Sequence, residues 1–384
     1  MVIVIETVTM NLLGTPWDYI FQTLVNDIYF WYKALIVPSW SGWDFFIDSI
    51  FARTPEGYRA RTRPIANIYT LFLMGNVVSD IRQFYYLFGS IQVIADFFTI
   101  YYLIKISNML NNGLIRKIVT IYCFSPTIIM IGFARFDLVP TFFMVAAIYH
   151  YLNNRDASAG ILLGLGIGFK LFPLAFLVAV FFLHIEKKEM KRFVKMALFV
   201  IVVLVLMHLP FLLFRFRYFK DFFTFYSGES ITRPDTLIGV VDRWTNNSFD
   251  IILKWIFIIT LIVVCILLIF RGPRNALQKT LSFIAAFLLF VGYIYSPQWT
   301  IWILPLLALD KKISFKIIGI LECSNVLIFP YLYSATELST GFSVFSLNNP
   351  LTILFSIFII IRASALTVIL FKQFKKSKFL EVTP

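Results

Sequence analysis

Long apolar runs separated by short polar or charged turns repeat through most of the chain. A run of roughly 17–25 apolar residues is the length a helix needs to cross the hydrocarbon core of a bilayer. Such runs lie at 82–106, 117–134, 137–153, 193–214, 249–271, 277–296, 313–334 and 349–371, and each predicts a crossing helix. The stretch 157–185 differs because Lys170 and Pro173 interrupt it, and it reads as two short helices meeting at Lys170–Pro173. Residues 298–309 read as another short crossing, cut off from 277–296 by Ser296-Pro297. Broken backbone at membrane depth is tolerated only where protein buries it or where it lines a wet cavity. The two breaks are therefore the first pointers to a site.

The start of the chain departs from this pattern. Residues 1–14 are apolar but too short to span, and they show no basic n-region or small-residue cleavage site, so no cleavable signal is expected. Residues 15–64 place Asp18, Asp27, Lys33, Asp44 and Asp48 among aromatics that include Trp31, Tyr32, Trp40 and Trp43. That mixture suits amphipathic helices lying in the interfacial belt. A half-inserted apolar stretch from Ile65 to Val78 is expected to follow.

Composition removes the soluble alternative. Hydrophobic residues make up 59% of the 384 and charged residues 14%, against about 25% charged in soluble domains. The 44 phenylalanines suit a lipid-facing surface better than an aqueous fold. Cys123, Cys265 and Cys323 each sit in an apolar stretch and read as small buried residues, not as a disulfide or metal set. No phosphate-binding glycine loop or dinucleotide fingerprint occurs, and nothing points to nucleic acid.

The net charge of +13 is unevenly placed. Lys187, Lys188, Lys191, Arg192 and Lys195 form one cluster. Arg271, Arg274 and Lys279 form a second, Lys311, Lys312 and Lys316 a third, and Lys372, Lys375, Lys376 and Lys378 a fourth. Short basic loops stay in the cytoplasm, and threading the spans puts all four on that side with Lys105, Arg116 and Lys117. The C-terminal tail 372–384 is then cytoplasmic. Loop 215–248, the Arg135-Phe136-Asp137 turn, the Lys170–Pro173 break and Ser296-Pro297-Gln298-Trp299 fall outside, with the segment before Arg82. That outer side still carries Arg53, Arg59, Arg61, Arg63, Arg135, Lys170, Arg215, Arg217, Lys220, Arg233 and Arg243. Arg forks and Lys point charges match a phosphate; loop charge solvated at the head groups is the plainer alternative.

Other features have structural readings beside functional ones. Asp137 precedes a span and reads either as its helix cap or as part of a site. Gly160, Gly164 and Gly168 form a small-xxx-small pattern that packs two helices closely. His208, before Pro210, reads as a packing residue. Asp96 lies inside a span with no partner evident from the sequence.

Three stretches carry a family resemblance. They are ArgPheAspLeuValProThr (135–141) with GlyPheLysLeuPhePro (168–173), TyrSerProGlnTrpThrIleTrpIleLeuPro (295–305), and AsnAspIleTyrPheTrpTyr (26–32). Together they resemble polyprenyl-phosphate-mannose-dependent mannosyltransferases of the GT-C superfamily. The resemblance implies an all-α polytopic membrane protein, a GT-C-like bundle of about 10–12 transmembrane helices with an outer first loop of interfacial helices. Residues 1–384 would form one domain, with 15–64 and 215–248 as outer loops, in a multi-pass protein of the cell membrane. It implies inverting transfer of a hexose, most simply mannose, from a polyprenyl or dolichyl phosphate to a hydroxyl of a lipid or glycan acceptor. Asp27 matches the family's catalytic carboxylate, with Asp18, Asp44 and Asp48 as competitors. Lys170, Arg135, Asp137, Gln298, Trp299, Trp302, Arg61 and Arg63 are the residues it points to for substrate binding.

The chemistry suits these residue types. A carboxylate at the membrane–water boundary can take the proton of the acceptor hydroxyl. Fixed cations lower the barrier where the leaving phosphate gains charge. Gln298 and the indoles can hold sugar hydroxyls or stack on the pyranose. No cofactor or metal is required. A lipid-linked oligosaccharide ligase or polymerase would share the outer arginines and the donor, and loop 215–248 suits it. A secondary transporter would also break its helices, but it should show an internal repeat, and none is seen.

Overall fold

The computed structural model describes residues 65–75, 77, 81–110, 113–214, 236–244, 250–290, 296–333 and 350–374. The predicted interfacial segment 15–64, with Asp27, Arg61 and Arg63, lies outside the described residues, as does most of 215–248. Every regular element among the described residues is helical. Four helical stretches, Gln83–Met109, Met190–Pro210, Phe315–Leu332 and Pro350–Phe374, are long and apolar enough to cross a bilayer. The protein is an all-α polytopic membrane protein.

The first described helix, α1 (Ile65–Gly75), rises only about 16 Å. It packs by Ile65, Ala66 and Met74. The next, α2 (Ile81–Met109), is the predicted 82–106 span. Phe97, Phe98 and Tyr101 are exposed on it, whereas Gln92, Ala95, Thr99, Leu103 and Ile106 are buried. An apolar outer face with polar groups turned inward is the arrangement lipid demands. Asp96, on this helix, has a buried Oδ1 with no hydrogen-bond partner among the described residues.

The run 117–134 is not the single helix that its hydropathy predicts. It forms α3 (Ile115–Ile118), a π turn over Val119–Cys123, α4 (Pro126–Ile131) and a 3₁₀ turn over Gly132–Ala134. The cause is local. Pro126 forces Ser125 into an extended conformation (ψ 120°), and Ser125 Oγ then accepts from Ile128 N–H as an N-cap.

A tight hairpin follows. The helices α5 (Leu138–Leu152) and α6 (Asp156–Phe169) are joined through Asn154, whose φ of 58° is one that Asn tolerates. The expected glycine packing is present. A Cβ on Gly164 would meet Val203 Cβ at 2.8 Å, and one on Gly168 would meet Met207 Cε at 2.7 Å. A Cβ on Gly160 would strike the Met196 carbonyl. All three neighbours belong to α8 (Met190–Phe214), so α6 lies backbone-close against α8.

Between them in sequence lies α7 (Leu174–Lys187). The α6–α7 break is where the sequence places it, with Lys170 extended (φ −160°, ψ 150°). Pro173 has no N–H to offer the Phe169 carbonyl. Asn67 on α1 supplies the missing donor, its Nδ2 lying 3.2 Å from Phe169 O.

The second half contains α9 (Leu237–Trp244), α10 (Asp250–Arg271), α11 (Ala276–Phe290), α12 (Leu304–Leu309), α13 (Phe315–Val326) and α14 (Pro350–Phe374). Two predicted crossings gain detail here. Residues 298–309 form a 3₁₀ turn, Pro297–Trp302, followed by six-residue α12. Together they rise roughly 20 Å, and 300–310 is buried throughout, so this short segment runs inside the bundle as a strut. Span 313–334 passes from α13 into a π turn, Leu327–Leu332, kinked at Phe329 before Pro330.

Polar ties fasten one end of the bundle. Arg192 grips both carboxylate oxygens of Asp156, and Lys279 pairs with Glu186 at 2.7 Å. Lys117 donates to the carbonyls of Asp310 and Ile313, and Gln373 donates to Asp310 Oδ2 at 2.7 Å. Asn153 reaches Met109 across the same end. The helices leaving this end lead to the turns that carry Asp137, Lys170 and Trp302 at the other.

Candidate active site

Three chain breaks meet at that second end. The Arg135–Asp137 turn enters α5, the Lys170–Pro173 turn links α6 to α7, and the 3₁₀ turn carries Trp302. Lys170 Nζ lies 2.6 Å from Asp137 Oδ1. Trp302 Nε1–H donates to the same oxygen, also at 2.6 Å. The ammonium additionally sits 5.3 Å from the centre of the Trp302 ring, within cation–π range. Three residues separated by up to 165 positions thus share one atom.

Burial divides their duties. Asp137 is 1% exposed and Trp302 3%, whereas the Lys170 side chain is 22% exposed. The ammonium is therefore the member that faces outward. Asp137 Oδ2 is buried with no hydrogen-bond partner among the described residues. Ion pairs in low dielectric add little net stability, because dehydration of both groups offsets their attraction. A buried acid that uses one oxygen twice and leaves the other bare is thus a costly arrangement. The helix-cap reading of Asp137 is set aside, because its side chain makes no cap bond to α5. Its backbone carbonyl instead accepts from Thr141 Oγ1 at 2.7 Å.

Aromatic rings build the wall. Phe172 stacks on Trp302 with centroids 4.4 Å apart and planes 6° apart, and Trp299 stacks on it at 4.7 Å and 22°. Phe88 meets Phe136 edge-on at 4.7 Å, bracing the Asp137 turn against α2. With its N–H committed and two rings stacked on it, Trp302 acts on Asp137. Trp299 is half-buried and retains accessible surface. Gln298 lies on the same turn, its side-chain oxygen accepting from Ser296 Oγ at 2.5 Å. Arg135 is half-buried two residues before Asp137, with its N–H bonded to Gly132 O at 3.3 Å. Of the sequence-derived residues, the structure brings together Lys170, Asp137, Trp302 and Trp299. Asp27, Arg61 and Arg63 lie outside the described residues. Among the described residues no group of three His, Cys, Asp or Glu side chains is placed to hold a metal ion.

A second polar cluster, invisible to the motif reading, lies behind the turns. Glu322 on α13 is 4% exposed. Its Oε2 accepts from Ser125 Oγ at 2.5 Å and Thr127 N at 3.1 Å, and its Oε1 from Thr127 Oγ1 at 3.0 Å. One turn along, Asn325 Nδ2 donates to the Pro297 carbonyl at 3.0 Å and to Thr127 Oγ1 at 3.2 Å. Arg362 on α14, 3% exposed, donates to Asn325 Oδ1 at 3.3 Å. The sequence did carry a signal. Glu322 and Arg362 are ionisable residues inside apolar spans, where charge is rare and usually functional.

His208, the predicted packing residue, is tied to its own helix by a bond between Nδ1 and Leu204 O at 2.7 Å.

No curated protein and no solved structure matches the chain. The sequence profile of glycosyltransferase family 87 does match, over residues 64–292. That segment is more than half of the chain and holds Asp137, Lys170 and the whole α5–α8 scaffold. Two of the three chain breaks that meet at the polar cluster lie within that match, and the chain belongs to glycosyltransferase family 87.

Proposed function

We propose that this glycosyltransferase moves a hexose, most simply mannose, from a polyprenyl or dolichyl phosphate to a hydroxyl of a lipid or glycan acceptor. The transfer inverts the anomeric carbon and occurs on the non-cytoplasmic side of the cell membrane. The observation that carries the reading is the Asp137–Lys170–Trp302 cluster, with one partly exposed ammonium at the bundle end opposite the basic ties. A lipid-linked donor presents its phosphate at the head-group level, and a cation fixed there suits it.

In this reading the acceptor hydroxyl oxygen attacks the anomeric carbon from the face opposite the phosphate. Its proton passes to a carboxylate, for which Asp27 is the candidate. The bond from the anomeric carbon to the phosphate oxygen breaks, and its electron pair leaves with the lipid phosphate. Lys170 faces the charge that develops there, with Arg135 on the neighbouring turn. Asp137 holds the ammonium in place, and Trp302 holds Asp137. Gln298 and Trp299 contact the sugar.

Asp27→Asn tests the assignment of the base. Purified protein in lipid discs, given labelled polyprenyl-phosphate hexose and acceptor membranes, should lose transfer at unchanged expression and insertion. Retained transfer would shift the role to Asp18, Asp44, Asp48 or Asp137. Label that never leaves the polyprenyl carrier with the wild-type protein would refute the donor.

A further inference from the structure

The two halves of the candidate site are not held by their own helices alone. Residues 132–137 descend from α4, and α4 begins at the Ser125 cap that Glu322 grips. Trp302 ends a 3₁₀ turn, and that turn begins at Pro297, whose carbonyl Asn325 grips. Glu322 and Asn325 are three positions apart and so share one face of α13. That face therefore touches the start of both segments whose ends meet in the Asp137–Trp302 hydrogen bond.

We infer that Glu322 and Asn325 are positioning residues for sugar transfer: together they set the register between the Asp137 turn and the Trp302 turn, and Arg362 orients Asn325. The inference rests on the site proposed above. Geometry gives the reason for each residue type. The Glu322 carboxyl meets three donors, two hydroxyls and one backbone N–H, and only a group with two acceptor oxygens at one point can take all three. Asn325 must donate to two oxygens and accept from a guanidinium at once, which needs an amide. The Pro297 carbonyl opens a 3₁₀ turn and would otherwise be a buried acceptor lacking one of its bonds. Arg362 closes the chain of bonds from α14, so four segments meet in one network without exposing any of it.

The test uses full-length protein purified in lipid discs, with Asn325→Leu, Glu322→Leu and the conservative Glu322→Gln. Two readouts are taken. Hydrogen–deuterium exchange reports on the turns whether or not sugar is transferred. Asn325→Leu should raise exchange in 296–303 and Glu322→Leu in 125–134. Both should raise it in 135–141, while 156–214 stays at the wild-type level. In the transfer assay both Leu variants should lower kcat roughly tenfold to a hundredfold with donor KM within about twofold, and Glu322→Gln, which keeps one of the two acceptor oxygens, should recover part of the loss. Unchanged exchange in 135–141 and 296–303, or wild-type kcat in both Leu variants, overturns the inference. Raised exchange confined to those turns, with no transfer by any protein including wild type, would keep the mechanical link and remove the proposed reaction instead. A Leu variant that unfolds throughout shows raised exchange in 156–214, and Glu322→Gln then decides: wild-type exchange in the turns with a tenfold fall in kcat would also overturn the positioning role.

Discussion

Replacing Trp302 by Phe separates the indole hydrogen bond from the ring that carries it. The phenyl ring still stacks on Phe172, 4.4 Å away in the wild type, and on Trp299, 4.7 Å away. The donor 2.6 Å from Asp137 Oδ1 disappears. A hydrogen bond to a paired carboxylate contributes about 1.5–3 kcal/mol. Asp137, 1% exposed, is closed to the bulk water that would otherwise replace it. The smaller ring also leaves a void, so the single variant overstates the bond. A double-mutant cycle with Asp137→Leu removes that excess, since the void appears on both sides of the cycle. Unfolding followed through detergent titration with SDS should give a coupling energy of about 1.5–3 kcal/mol between the two positions. If the bond tightens further in the transition state, Trp302→Phe alone lowers kcat/KM roughly tenfold to 150-fold. Coupling below about 0.5 kcal/mol would mean that the two residues are mere neighbours, and the positioning role given to Trp302 would fall.

Lys170→Ala removes the outward-facing cation; donor KM should rise and kcat fall, together lowering kcat/KM roughly a hundredfold, and equal efficiency with wild type would return Lys170 to a packing role. Lys170→Arg keeps the charge but puts a broad fork in place of a compact ammonium beside Asp137, and should recover only part of the activity. Gly164→Ala should destabilise the protein by about 1–3 kcal/mol, because its methyl lands 2.8 Å from Val203 Cβ; SDS titration reads the loss, and wild-type stability would show that α6 and α8 can separate freely.

Much of the fold was legible because bilayer crossing imposes length and polarity on each helix. Spans 82–106, 137–153 and 349–371 became helices within a few residues of those bounds. The Lys170–Pro173 break was legible because a charge and a proline are strong punctuation within an apolar run. The Ser125-Pro126 break was missed, although Ser before Pro is an N-cap signal, because a hydropathy window averages over a single pair. That the short segment 297–309 runs inside the bundle was not legible either, because a buried apolar segment and a lipid-facing one have the same hydropathy. At the site, motif order singled out Asp137, Lys170 and Trp302, but no spacing rule says that Trp302 bonds Asp137 and not a sugar. The Glu322 network went unread because its members match no motif, and only their cost inside an apolar span marks them.

The seam between α6 and α8 has one more implication. Glycine has no side-chain torsions, so the α6 side of this seam contributes nothing that can hop between rotamers. Whatever freedom that anchorage had to surrender was surrendered when the chain folded, and none remains to be quenched each time a reactant arrives. The reach of the ammonium is thus set by its own four-carbon stem and by Asp137, which tethers its end.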